Sequence, residues 1–258
     1  MKNLEKMFLM VLIGLVVACQ QEKAVINVEG NYTLSSQEFY NGDSLTNPEF
    51  VVAEQIKIYT DKEWMFIGFR DSTAGFSAGT YSISDDLLTE YALTNNPDSA
   101  GNDFILRIEM TDNGYRQIID EMEMDNGEVW KLDEGYVRNQ VSEASDLDGL
   151  YRLTKSVNIA EGDTSETTYH EFKMISKGEF LWGAQAINQD GSVTNYVGHG
   201  KITVNGNEVI EILEDSNMEG IAGTYAITIE RTDSGFTQTI TNASTNAVNK
   251  KTYTKILK

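Results

Sequence analysis

The side chains that do most protein chemistry are scarce in this sequence. One cysteine, Cys19, and two histidines, His170 and His199, serve 258 residues. A single thiol closes no intrachain disulfide and builds no thiolate metal site. The histidines sit in Thr-Tyr-His-Glu-Phe and Gly-His-Gly, with no second ligand at metal-binding spacing, so no metal is assigned. Between two glycines His199 could act as a mobile general base, although a solvated loop histidine is the simpler reading. A glycosidase pair of carboxylates is defined by separation in space, which an acidic sequence does not reveal. There is no Gly-x-Ser-x-Gly elbow, no phosphate loop and no His-Glu-x-x-His. No catalytic residue and no cofactor is therefore named. The remaining candidates are aromatic and amide side chains, Trp64, Phe66, Tyr115, Gln117, Trp182, Phe236 and Gln238, which suit the holding of a small molecule.

Cys19 has another use. Lys2 and Lys6 make a weakly basic start, and Met7 to Val17 is an unbroken apolar run. At about 1.5 Å per residue that run falls well short of a hydrocarbon core of about 30 Å, so it is not a transmembrane helix. It has the length of a signal-peptide core. The segment Val16-Val17-Ala18-Cys19 resembles the lipobox of bacterial lipoproteins, with an aliphatic residue three places before the cysteine and a small one next to it. The resemblance implies a helical signal peptide over residues 1–18, cleavage before Cys19, and a diacylglycerol on its sulfur. Residues 19–27 then form a tether. The partner implied is a lipid bilayer, held stably because more than one acyl chain is attached. Gln20 stands where inner-membrane lipoproteins typically carry aspartate, so the resemblance implies the outer membrane, with the chain facing the periplasm or the cell surface.

The chain carries 40 acidic and 20 basic residues, a formal net charge of −20. Such a surface repels phosphate backbones, and nucleic acid is excluded as a partner. With 40% hydrophobic and 10% aromatic residues it still fills a core. The acid is uneven: residues 28–146 hold 24 Asp and Glu against 7 Lys and Arg, and residues 147–258 hold 14 against 10. A solvated, self-repelling face accounts for this. The densest run, Asp120-Glu121-Met122-Glu123-Met124-Asp125, lacks the alternation and central glycine of a calcium loop.

The chain also repeats itself at a spacing of 119 to 121 residues. Gly30-Asn31-Tyr32 answers to Gly149-Leu150-Tyr151, and Glu63-Trp64-Met65-Phe66 to Glu179-Phe180-Leu181-Trp182. Gly79-Thr80-Tyr81-Ser82-Ile83 is set loosely against Gly198-His199-Gly200-Lys201-Ile202. The firmest match sets Glu109 through Gln117 against Glu230 through Gln238, where Glu, Thr, Asp, Gly and Gln coincide. Two copies follow, 28–138 and 147–258, with a linker at 139–146.

Short runs separated by Gly, Asn and Asp predict strands in both copies, and no mature segment sustains a helical period. In the first copy the strands are expected near 30–36, 51–59, 63–70, 79–84, 87–94, 103–111, 114–123 and 127–133. In the second they are expected near 149–157, 166–176, 178–186, 193–197, 199–204, 207–214, 223–232, 235–243 and 250–257. Asp112-Asn113-Gly114, Asp233-Ser234-Gly235 and Asn205-Gly206-Asn207 read as hairpin turns, with glycine supplying positive φ. About eight strands in meander order close into a small barrel that can hold one ligand. The fold class expected is all-β, two tandem antiparallel up-and-down β-barrels after the signal helix.

The opening Gly-x-Tyr of each copy, the tryptophan-bearing strands of Trp64 and Trp182, and Gly-Thr-Tyr-Ser-Ile followed by Thr89-Glu90-Tyr91 resemble the lipocalin-like domains of exported Gram-negative proteins. The resemblance implies an up-and-down barrel that captures a small apolar molecule. The second copy departs from it by lacking the tyrosine, and Val209-Ile210-Glu211 is set where Thr-Glu-Tyr would stand. Alternation places Phe104, Leu106, Ile108 and Met110 on one inward face, matched by Tyr225, Ile227, Ile229 and Arg231. Tyr115, Gln117 and Ile119, with Phe236, Gln238 and Ile240, share the next. Each copy thus puts a glutamine inside, as a polar contact for a ligand or as a satisfied core amide. Trp64, Phe66, Phe180, Trp182 and Trp130 offer flat surfaces for a ligand or for packing. Glu90 beside Tyr91 could accept a ligand hydroxyl, with an outward carboxylate the simpler reading. Three functions remain: a membrane-anchored binding protein for a small apolar or amphipathic ligand, an envelope structural or protein-interaction module with filled barrels and no ligand, or a hydrolase using convergent carboxylates or His199.

Overall fold

The computed structural model describes residues 26–46, 54–70, 73–93, 103–124, 126–167, 170–188, 190–242 and 245–257. The expected signal peptide, Cys19 and the start of the tether lie outside them. Among the described residues no helix is long and apolar enough to cross a membrane. The first copy forms β1 (Gly30–Asn41), β2 (Ser44–Thr46), β3 (Glu54–Tyr59), β4 (Glu63–Arg70), β5 (Thr73–Ser84), β6 (Leu87–Ala92), β7 (Asp103–Thr111), β8 (Gly114–Glu123) and β9 (Val129–Arg138). The second forms β10 (Gly149–Ala160), β11 (Asp163–Thr167), β12 (His170–Ser176), β13 (Glu179–Ile187), β14 (Val193–Asn205), β15 (Glu208–Ser216), β16 (Gly223–Thr232), β17 (Gly235–Thr241) and β18 (Val248–Lys255).

Each copy is its own antiparallel sheet, closed on itself, and among the described residues no strand is exchanged between them. In the first, β3 to β9 run as a meander and β1 closes the ring. One edge of β1 pairs with β9 from Tyr32↔Arg138 to Asn41↔Trp130. Its other edge starts on β3 (Gly30↔Tyr59) and ends on the short hairpin strand β2. The second copy repeats this with β10, β12, β11 and β18, including a bulge at the same place, Leu34/Ser36 and Leu153/Lys155. The chain is therefore a tandem of two eight-stranded up-and-down barrels of lipocalin-like architecture, each with one small added strand.

Three details differ from the expected pattern. Gly114 and Gly235 are absent from the residues of positive φ, whereas Gly206 has φ +61°. The Asp-x-Gly glycines serve another constraint: a Cβ at Gly114 would lie 1.9 Å from the Tyr136 carbonyl, and one at Gly235 2.0 Å from that of Tyr253. Next, the strands expected at 193–197 and 199–204 are one strand, β14, running straight through Gly198-His199-Gly200. There a Cβ at Gly198 would meet Trp182 Nε1 at 2.5 Å, and one at Gly200 the Ile212 carbonyl at 1.9 Å. Finally, the run 166–176 divides into the end of β11 and the whole of β12.

Alternation on β3 sends Gln55, Lys57 and Tyr59 into the first barrel and Ile56 and Ile58 out of it, yet both sets are buried. The outward set meets the second barrel. Ile56, Ile58, Met65, Ile67, Phe76 and Ala78 form one hydrophobic cluster with Leu150, Phe172, Met174, Leu181 and Val197. It is a third core, beside one inside each barrel. The contact is approximately reciprocal, since β3, β4 and β5 correspond in the repeat to β12, β13 and β14. Two equivalent buried glutamates mark its ends. Glu63 accepts the backbone N–H of Leu150 at 2.9 Å and of Leu257 at 3.2 Å. Glu179 accepts Asn31 Nδ2 at 2.9 Å and Asn139 Nδ2 at 3.3 Å.

Burying a Leu, Ile, Phe or Met side chain contributes about 1.5–3 kcal/mol, so the shared cluster couples the barrels as strongly as a domain core would. The expected outcome for Leu181→Ala, which touches neither barrel interior, is a loss of about 2–5 kcal/mol. Chemical denaturation should show it as one shifted transition sensed by both barrels.

Candidate functional site

The interior of each barrel is crossed by a buried lysine. Lys57 on β3 is 2% exposed and Lys173 on β12 is 3% exposed. An isolated buried ammonium costs several kcal/mol, so partners must come from strands across the barrel. Lys57 Nζ lies 2.7 Å from Glu90 Oε1 on β6 and donates to Gln117 Oε1 on β8 at 2.9 Å. Lys173 Nζ donates to Glu211 on β15 and to Gln238 Oε1 on β17, the latter at 3.2 Å. Rings surround both cations. Lys57 Nζ is 5.3 Å from the Tyr59 ring centre and 5.5 Å from Trp64, and Lys173 Nζ is 5.2 Å from Phe180.

This triad corrects the alignment of the copies. Trp64 pairs with Gly79 and Phe180 with Gly200, so Gly79 corresponds to Gly200 and not to Gly198. Tyr81 pairs with Glu90, and Ile202 with Glu211. Glu90 and Glu211 are thus equivalent, both inward and both buried. The expectation of an outward Glu90 fails because the ammonium of Lys57 draws it inside, and the second copy departs from the first less than its sequence suggests.

Beyond the triad the copies differ in charge. In the first barrel Glu134 on β9 is 3% exposed and accepts three donors: Gln37 Nε2 at 2.6 Å, Gln117 Nε2 at 2.9 Å and the Tyr136 hydroxyl at 3.0 Å. Burial pushes its pKa above the usual carboxylate range, against the opposing pull of Lys57 and of the Gln37 and Tyr136 hydrogen bonds. In the second barrel Lys251 stands where Glu134 does and Glu171 where Gln55 does. Lys251 donates to Glu171 Oε2 at 2.6 Å, and the Tyr253 hydroxyl donates to the same carboxylate. Burial holds the hydroxyls of Tyr59, Tyr115, Tyr136 and Tyr253 protonated far above their ordinary range.

A cavity of about 460 Å³ opens inside the first barrel beside this network. Its polar lining is Gln37, Gln55, Lys57, Glu90, Gln117 and Glu134; its apolar lining includes Phe39, Phe66, Phe104, Leu106, Ile119 and Leu132. Gly68 and Gly75, paired with each other, leave room at one wall. The register sets Ala184 and Tyr196 at those places in the second barrel, and Trp182 at the place of Phe66. All three are larger.

Of the residues singled out by sequence, Phe66 and Gln117 line the cavity. Trp64 is fully buried and donates Nε1 to the Thr80 carbonyl at 2.9 Å, a structural bond. Tyr115 packs edge-on to Tyr32 at 4.8 Å and stacks on Tyr136 at 4.9 Å, beneath the cavity. In the second barrel Phe236 packs between Tyr151 and Tyr253, Gln238 binds Lys173, and Trp182 covers Gly198. Both glutamines point inside, as expected; Met110, at 43%, and Arg231 are exposed where their strands leave the barrel. The lysines and Glu134 were missed. The signal for the lysines was the recurrence of Lys between apolar residues at the same place in both copies.

His199 is not a mobile loop residue. It lies within β14, its side chain 15% exposed and edge-on to Phe69 at 6.0 Å, in the seam between the barrels. Its Nε2 is 3.6 Å from Glu54 Oε1, and ligand atoms of Glu54, His199 and Asp215 lie within 4.8 Å of one another. Three such atoms could hold one side of a divalent ion, fewer than a closed structural site needs.

No family model matches the sequence, and no curated protein matches it. Among solved structures, the chain is similar to a lipocalin-like protein from Bacteroides uniformis, at 20% identity over 43% of this chain and 100% of that one, with a TM-score of 0.30. It is also similar to a protein of unknown function of the DUF3598 family from Nostoc punctiforme, at 9% identity over 88% and 96%, with a TM-score of 0.25.

Removing one partner of a buried ion pair costs about 3–5 kcal/mol, because the other charge is left stranded. Lys57→Met should destabilise the chain by that amount in chemical denaturation. Lys57→Met with Glu90→Leu should recover much of the loss, since no charge is then left unpaired.

Proposed function

We propose that this chain is a lipid-anchored extracytoplasmic protein whose first barrel holds a small amphipathic molecule. The observation that carries the binding reading is the cavity. At about 460 Å³ it has the size of a small-molecule site, and it combines a mostly apolar wall with a few polar groups. The reading of Cys19 as the acylated residue rests on the apolar run and the Val-Val-Ala-Cys segment. The outer membrane, with the barrels on its periplasmic or outer face, follows from Gln20 within that reading.

In this reading the second barrel has another role. Trp182, Ala184 and Tyr196 occupy the places of Phe66, Gly68 and Gly75, and the Lys251–Glu171 pair completes its interior. It braces the first barrel through the shared core.

The test uses N-phenyl-1-naphthylamine, a neutral apolar probe that fluoresces when removed from water. The mature chain should bind it in one site. Phe66→Trp with Gly75→Tyr, which imitates the second barrel, should weaken binding at least about tenfold, or 1.4 kcal/mol, while the fold persists in circular dichroism. Probe binding unchanged by these substitutions would refute the site. For the anchor, Cys19→Ser should move the protein from the detergent phase to the aqueous phase on cloud-point extraction, because the acyl chains are lost.

A further inference from the structure

The three ionisable side chains lining the first cavity, Lys57, Glu90 and Glu134, do not balance. Lys57 is already matched with Glu90 at 2.7 Å. Glu134 receives only neutral donors, two glutamine amides and a tyrosine hydroxyl. These donors favour the ionised form, because a carboxylate accepts where a neutral carboxyl must also donate, while burial opposes it. They use three of its roughly four acceptor positions. The cavity therefore presents one buried carboxylate with no cation paired to it and room for another donor.

The second barrel shows how the same architecture looks when that charge is matched. There the inward carboxylate, Glu171, receives the ammonium of Lys251 at 2.6 Å, and Lys251 occupies the place of Glu134. Both pairs then lie within the protein, Lys173 with Glu211 and Lys251 with Glu171. The first barrel lacks this second cation and has the cavity instead.

We infer that the ligand of the first barrel is an amphipathic amine, its ammonium paired with Glu134 and its apolar part against Phe39, Phe66 and Phe104. The inference deepens the proposed function and rests on its cavity. An ammonium supplies the missing charge and fills the open acceptor position. A carboxylate ligand would add a second unmatched charge beside Glu134, and an alcohol would leave the first unmatched.

Displacement of N-phenyl-1-naphthylamine from the mature chain by decylamine, decan-1-ol and decanoate tests this. Decylamine should displace the probe at a concentration at least about tenfold below decan-1-ol, with decanoate the weakest of the three. In Glu134→Gln, with the probe's own affinity for the variant measured first, the amine should fall to the level of the alcohol. Gln37→Lys, which places an internal ammonium next to Glu134, should do the same and serves if Glu134→Gln fails to fold. A wild-type chain that never binds the probe defeats the cavity reading itself. Probe binding with amine and alcohol equal, or an amine advantage that survives in a folded variant, overturns the amine assignment and leaves the cavity reading standing.

Discussion

An ammonium buried among aromatic rings is the constraint around which each barrel is organised. Lys57 and Lys173 cannot reach water, so each must find an anion and an acceptor on strands across the barrel. The carboxylate comes from β6 or β15 and the amide from β8 or β17. A shift of one residue on any of these strands would turn its partner outward, because side chains alternate with a period of two. The triad thus pins the register of three strands at once. Tyrosine hydroxyls complete the remaining lone pairs, as where Tyr59 donates to Glu90 and Tyr253 to Glu171.

Doubling the barrel added a second constraint on the same strands. β3 and β12 are buried on both faces, their polar set turned into the barrel and their apolar set turned into the seam. Neither barrel presents that apolar face to water. The seam is closed at its ends by Glu63 and Glu179, which descend from one ancestral position and bind across to the opposite copy. Glu63 meets the backbone at Leu150, and Glu179 meets the side chain at Asn31, the equivalent position. Reciprocal use of equivalent residues is what a two-fold interface requires. Joining two such surfaces in one chain lets the copies diverge, since neither must still pair with itself.

These two constraints explain what was legible in the sequence. Strand order, the two closed sheets and the inward Gln117 and Gln238 follow from alternation and from the repeated Thr-Asp-x-Gly turn, which are local signals. The buried lysines were not legible because β3 shows alternation of the wrong kind. Gln55-Ile56-Lys57-Ile58-Tyr59 looks like a strand with a solvated face, and only the inside of the barrel reverses that. Glu90 was misplaced for the same reason, and the error then hid its equivalence to Glu211. The shared core depends on how two barrels dock, which no local pattern records. His199 looked mobile between glycines, but those glycines admit Trp182 and the β15 backbone at close range.

Divergence of the copies is concentrated where a ligand would matter. The triad, the edge-on aromatics beneath it and the bulge of the first strand are common to both. Those parts hold the fold, and exchanging any one strands a charge or opens a void. The other positions around the cavity carry no such obligation. There Phe66, Gly68, Gly75, Gln55 and Glu134 in one copy stand against Trp182, Ala184, Tyr196, Glu171 and Lys251 in the other. Every one of these changes either adds volume to the second barrel or completes its charge balance. In the second barrel these residues take up space and balance charge that the first leaves open. On the proposed function the first barrel, roomy and short of a positive charge, is the one that a molecule supplying both bulk and cation would stabilise. Charge balance and volume therefore point to the same copy, although neither was needed to infer the other.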